Sequence, residues 1–140
     1  MKSDLDALMK ERNLDALMVL GDAEHNPPMY YFTGGGHIMH ATLIKKRDEG
    51  AVLFHGDMER DEAAKSGLKC IPYSKYDFEA LREKANKDVL LTNAMRCELM
   101  FKDLGLTSGR VGVYGSYDVS MVFGIISQLQ KLMPDIEFIG

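Results

Sequence analysis

Apolar residues along this chain fall into short continuous runs and helical stripes that follow one another in regular order. Leu5, Leu8 and Met9 recur at helical spacing behind Ser3, with Asp4 and Asp6 early and Lys10 and Arg12 late, the polarity a helix dipole favours. This predicts a helix capped by Ser3 that ends near Asn13. Ala16 to Leu20 is an unbroken apolar run, too brief for a helix and closed by Gly21, so a buried strand is predicted there. Ala41-Thr42-Leu43-Ile44 and Ala51-Val52-Leu53-Phe54 flank a polar stretch that ends in Gly50. That pattern predicts a hairpin of antiparallel strands, with Lys45, Lys46 and Arg47 at its solvated end.

Further along, Asp57 is placed to cap a helix reaching Ser66 and stopped by Gly67, and Lys69 to Pro72 reads as a short strand. Asp77 to about Lys87 predicts a helix carrying Phe78, Leu81 and Ala85 on one side, followed by a helix from about Thr92 to Leu104 that ends at Gly105. Arg110 to Tyr114 reads as a strand and Ile136 to Ile139 as the last one. Between them, Asp118 to Met133 predicts a long helix with Val119, Val122, Phe123, Ile126, Leu129 and Leu132 inward, left at Pro134. Helix, strand, hairpin and then alternating helices and strands predict an α/β fold: a mixed β-sheet of five to six strands with helices on both faces, in one domain over residues 1–140.

Composition narrows the function classes. A chain of 140 residues with 46% hydrophobic side chains can bury a core without staples. Its 17 basic and 21 acidic residues give a net charge of -4 with no long block of either sign, so no nucleic-acid partner is expected. Cys70 and Cys97 form no CxxC pair and are expected as buried or half-buried thiols. No apolar run approaches a membrane span and the first residues lack a leader pattern, so a soluble, cytoplasmic protein without a membrane partner is expected.

Candidate chemistry concentrates after the first strand. In Asn26-Pro27-Pro28-Met29-Tyr30-Tyr31-Phe32-Thr33-Gly34-Gly35-Gly36, the prolines are expected to stop the strand and preset an extended path. The aromatic residues Tyr30, Tyr31 and Phe32 then form a rigid base, and the glycines let His37 and His40 project. The other reading is a glycine-rich turn with both histidines simply facing water. His25, His37, His40 and His55 show no metal-ligand spacing, so no metal site is expected and most should lie at the surface. Neither the glycine run nor Gly109-Arg110-Val111-Gly112-Val113-Tyr114-Gly115 matches a phosphate-binding loop. The latter reads as a strand with tight ends, in which Gly112 admits a closely packed helix. No serine sits in a GxSxG elbow and neither cysteine has a basic neighbour in sequence, so no catalytic nucleophile is assigned.

Leu14-Asp15-Ala16-Leu17, then Asn26 with Tyr31-Phe32-Thr33-Gly34, the hairpin and Arg110-Val111-Gly112-Val113 together resemble the creatinase/prolidase N-terminal domain of the Xaa-Pro peptidase family of metallopeptidases. The resemblance implies a creatinase N-terminal-like, ribonuclease H-like fold and a non-catalytic role. A C-terminal pita-bread domain of the same polypeptide, beyond this chain, would hold two divalent metal ions (Mn, Co or Zn) on two Asp, one His and two Glu and would hydrolyse a peptide substrate. It further implies a homodimer in which Gly34, Gly35, Gly36, His37 and His40 form a substrate-gating loop supported by Asn26, Tyr31 and Phe32. Creatinase-like chemistry in the absent domain stays open. A stand-alone small-molecule-binding or protein-interaction module is the alternative, the former marked by ligand-dependent thermal stabilisation and the latter by self-association.

Overall fold

The computed structural model describes residues 2–140, with side chains from Asp4 onward. Six strands and six α-helices succeed one another: α1 (Lys2–Glu11), β1 (Ala16–Gly21), α2 (Pro27–Thr33), β2 (Ala41–Lys46), β3 (Ala51–His55), α3 (Arg60–Lys65), β4 (Lys69–Pro72), α4 (Phe78–Lys84), α5 (Val89–Asp103), β5 (Gly109–Ser116), α6 (Val119–Leu132) and β6 (Ile136–Ile139). The side chain of Ser3, expected as a cap, lies outside the described residues, and its backbone is already within α1.

The strands form one sheet in the order β4-β3-β2-β1-β5-β6. Only β2 runs against its neighbours; β1 pairs in parallel with β5, β5 with β6 and β3 with β4. Alternate residues of the central strands feed opposite faces, as the two-residue strand period requires. Ala16 and Met18 of β1 join Ile44, Phe54 and Val111 under α5 and α6, where Met100, Phe101 and Leu129 close the larger core. Val19 with Leu43 and Leu53 packs against Met29 and Ala63 on the other face, and Leu17 packs against Met9 and Leu14. Helices on both faces are thus borne out, and they explain why β1 to β3 read as unbroken apolar runs.

Several elements differ from expectation for local reasons. Pro27 and Pro28 do not continue an extended path; they open α2 at its first two positions, where the missing N–H would have no helical partner anyway. Asp57 starts a 3-10 turn, Asp57–Glu59, ahead of α3 and accepts from the Ser74 hydroxyl at 2.8 Å instead of capping α3. α5 begins earlier than Thr92 because the Asp88 carboxylate accepts from Leu91 N at 3.0 Å, a cap the pattern alone did not single out. Asp77 and Asp118 do cap α4 and α6. On α6, Val119 and Phe123 face outward instead of inward, while Ile125 and Leu129 are buried. Gly112 is roofed by the Tyr114 ring and by Leu14 and Leu17, not by a helix: a Cβ there would stand 2.8 Å from Tyr114 Cε2.

Lys45, Lys46 and Arg47 are the largest departure. None is a solvated hairpin end; each ties the β2 strand to a different element. Lys45 is 3% exposed and donates to Asp6 of α1 at 2.6 Å. Lys46, on the opposite face, donates to the Leu104 carbonyl at the end of α5 at 2.8 Å, where a cation suits the helix dipole. Arg47 donates to the Leu14 carbonyl at 3.2 Å and lies 3.5 Å from Asp15. Asp15 in turn accepts from Arg110 N at 2.8 Å, clamping the start of β5 to the start of β1. The Leu14-Asp15-Ala16-Leu17 motif is therefore a structural joint. At the open edge, the Gln130 side chain donates to Ile136 O at 2.5 Å and accepts from Phe138 N at 3.4 Å, occupying hydrogen-bonding groups of β6 that another strand could otherwise pair.

Candidate functional site

The carboxyl ends of β1, β3, β4 and β5 meet the start of β2 along one edge, the position at which open α/β sheets present their loops. Closest approach occurs between β1 and β5. Gly21 and Gly115 hold φ of +113° and +119°, and a Cβ on either would lie 2.2 Å from the carbonyl oxygen of Ser116 or Leu20. The chain then leaves β1 through Asp22 to Asn26. Buried Asn26 donates from Nδ2 to the Leu20 carbonyl at 2.9 Å, while its backbone carbonyl accepts from Tyr30 N, so it fixes the start of α2 to the end of β1. Its Oδ1 is buried without a partner among the described residues.

α2 ends in a left-handed Gly34, whose N–H reaches the Tyr30 carbonyl at 2.8 Å. Gly35 and Gly36 keep positive φ, so three successive residues take angles that side chains resist. The Tyr30 ring sits over Gly35, and Thr33 Oγ1 accepts from Gly35 N at 3.2 Å. The segment is nonetheless pinned. Ile38 is buried in the smaller core, its carbonyl accepts from Ala23 N at 2.9 Å, and Asp22 accepts from His40 N at 2.7 Å. The Glu62 carboxyl accepts a backbone hydrogen bond from His37; that contact and, foremost, the Lys65 ammonium hold it below its usual range.

His40 therefore belongs to a cluster that His37 does not join. Its ring meets Tyr117 edge-on at 6.2 Å between centroids, and its Nδ1 lies 3.9 Å from Asp22, beyond hydrogen-bond reach. The Tyr73 hydroxyl donates to the His40 carbonyl at 3.0 Å and pairs with the Thr42 hydroxyl at 2.8 Å. Behind it the Arg96 guanidinium stacks on Tyr73 at 4.1 Å and lies 5.1 Å from the Phe78 ring. Burial pushes the Tyr73 phenol up to about 12 and the Cys97 thiol up to about 11, so both stay protonated at neutral pH and neither is a ready nucleophile. His25 lies apart beside Glu24, and His55 is buried against the Gly56 carbonyl. No group of three or more His, Cys, Asp or Glu is placed to hold a metal among the described residues.

Of the expected site residues, Gly34, Gly35, Gly36, His37 and His40 lie on this edge and Asn26 beneath it. Tyr31 and Phe32, in edge contact at 5.2 Å, line a groove against α1 instead, and the ring beside Gly35 is that of Tyr30. Tyr30 and Tyr31 are exposed and the buried side chain of the segment is Met29, so the aromatic run is not a plug. Asp22, Tyr73, Arg96 and Tyr117 were not legible as site residues. Asp22 directly follows a strand of a parallel pair, which is a usable signal, whereas the other three reach the edge only through the topology. Met39, Met58, Tyr117, Val119 and Phe123 expose apolar surface here. The arrangement offers recognition and docking, with no assembled nucleophile, base or metal.

No protein-family model matches the sequence, and no curated protein matches it. Solved structures do. The chain is similar to the X-Pro aminopeptidase of Thermotoga maritima MSB8, with 14% identity and a TM-score of 0.64 over 100% of this chain and 33% of that one. It is similar to the dipeptidase of Pyrococcus horikoshii OT3, with 15% identity and a TM-score of 0.57 over 99% of this chain and 33% of that one. Against the creatinase/prolidase N-terminal domain of an X-Pro dipeptidase from Streptococcus pyogenes, identity is 14% and the TM-score 0.57, over 98% of this chain and 89% of the domain. The chain spans about a third of the length of the first two proteins and nearly all of the third. The six-stranded sheet with its helices on both faces is the fold of the creatinase/prolidase N-terminal domain.

Proposed function

We propose that this chain is the non-catalytic N-terminal domain of an Xaa-Pro aminopeptidase- or dipeptidase-like metallohydrolase, that it forms a homodimer, and that its edge loop gates substrate access to the partner's active site. The observation that carries the reading is one of extent. The same 140 residues cover a third of two Xaa-Pro or dipeptide hydrolases and most of a separately solved N-terminal domain. The described residues do not fit the divalent metal pair of such enzymes, because their histidines and carboxylates do not converge. That pair would be held by the C-terminal catalytic domain.

Gating falls to Gly34 through His40. The segment is anchored by Ile38, Asp22 and Glu62 yet leaves the side chains of His37, Met39 and His40 exposed. Such a scaffolded loop can limit substrate length without mobility of its own. Replacing both histidines by alanine in the full-length enzyme is expected to change kcat/KM for longer Xaa-Pro peptides relative to dipeptides by roughly tenfold, the effect of losing one or two contacts. Equal kcat/KM ratios across peptide lengths would remove the gating role.

A further inference from the structure

The face of α1 that turns away from the sheet carries Asp4, Leu8 and Arg12 at successive i, i+4 positions, which places them in one row, about 6 Å apart along the helix. Met9 and Leu5 already pack on the sheet side. Leu8 does not: it is 52% exposed although an apolar groove of about 460 Å³ lies beside it, lined by Leu5, Leu17, Val19, Phe32, Tyr31 and Tyr114. Tyr31, on the far wall of that groove, is 59% exposed. The Arg12 guanidinium at the end of the row has no carboxylate partner among the described residues.

A row that reads acid, leucine, base, with the leucine midway, is complementary to itself when turned end for end. We infer that α1 packs antiparallel against α1 of a second copy of this chain across a twofold axis at Leu8. This rests on the homodimer proposed above and names its surface. In that arrangement Leu8 meets Leu8 of the partner subunit beside the two grooves, and Arg12 faces Asp4 of the partner subunit at both ends. The contact is isologous, so each charge pair occurs twice, and antiparallel helix dipoles oppose favourably. One helix pair alone falls short of the roughly 1,000 Å² expected of a stable interface, and exposed Tyr31 on the neighbouring α2 is positioned to extend it.

Sedimentation velocity on the 140-residue chain tests this. The wild type should be a dimer, and Leu8→Glu a monomer with an unchanged melting temperature, because the side chain is already half in water. Arg12→Asp or Asp4→Arg alone places like charges opposite each other twice and should weaken the dimer about tenfold, whereas the double exchange restores the pairing with its signs reversed and should recover most of the affinity. A wild-type dimer unaffected by Leu8→Glu, or a double exchange no better than its single variants, would overturn the α1 surface while leaving the homodimer standing. A monomeric wild type would remove both the dimer and the surface.

Discussion

Gly115→Ala is expected to lower stability by about 4 kcal/mol and the melting temperature by roughly 12 °C, among the largest effects of any single methyl in this chain. Two costs combine. The residue holds φ of +119°, which an L side chain resists, and its Cβ would stand 2.2 Å from the Leu20 carbonyl oxygen, a backbone atom of the adjoining parallel strand. That atom cannot swing aside as a flexible side chain would, so β1 and β5 must separate at the end that positions Asp22 and Tyr117. Gly67→Ala is the control, because its φ is +74° with open space around the missing Cβ; it should cost only about 1 kcal/mol. Urea denaturation of the two variants measures the difference. Equal losses would mean that the backbone approach contributes nothing.

The second large effect is an asymmetry. Asp6→Ala should cost about 3 kcal/mol, because it leaves the Lys45 ammonium buried with only the Lys46 carbonyl at 2.8 Å as a partner. Lys45→Met should cost about 1 kcal/mol or less, since its stem is already packed and the released Asp6, 22% exposed, keeps the Asp48 N–H and gains water. The pH dependence follows the same pair. The hydrogen bond from Lys45 is the first cause holding the Asp6 carboxyl below its usual value. A carboxyl whose folded pKa is lowered contributes stability that is present above its unfolded value near 4 and lost as pH falls through the folded one. Asp103, held down first by the Tyr76 hydroxyl and then by Lys75, adds to the same acid limb. Denaturation at pH 7 and pH 3 should therefore show a smaller acid loss in Lys45→Met than in the wild type. Matching losses in Asp6→Ala and Lys45→Met at pH 7 would show that burial of the ammonium is not the source.

Much of the fold was readable because burial and period agree. β1, β2 and β3 are covered on both faces, so their apolar runs are unbroken, and Asp77 and Asp118 mark helix starts with a side chain that can accept a backbone hydrogen bond. Failures came where one residue type serves two purposes. Pro27-Pro28 reads as a strand breaker, yet Asn26 before it and Gly34 after it are the flanks of a short helix with prolines in its first turn. Val119 and Phe123 have the right period for an inward stripe, and only packing shows that α6 turns them to solvent. Lys45 was invisible as a buried ion because Asp6 lies far away in sequence on a different element. The candidate edge was legible in its local part, Asn26 through His40. Tyr73, Arg96 and Tyr117 come from α-helical and loop segments whose convergence depends on the strand order.

The central claim is that the chain is one domain of a longer hydrolase. It is tested most directly by reading the coding frame beyond the codon for Gly140. The account predicts a continuous frame into a second domain bearing two Asp, one His and two Glu in the spacing of a divalent metal pair. A stop codon at that point, in the gene as it occurs, would contradict it.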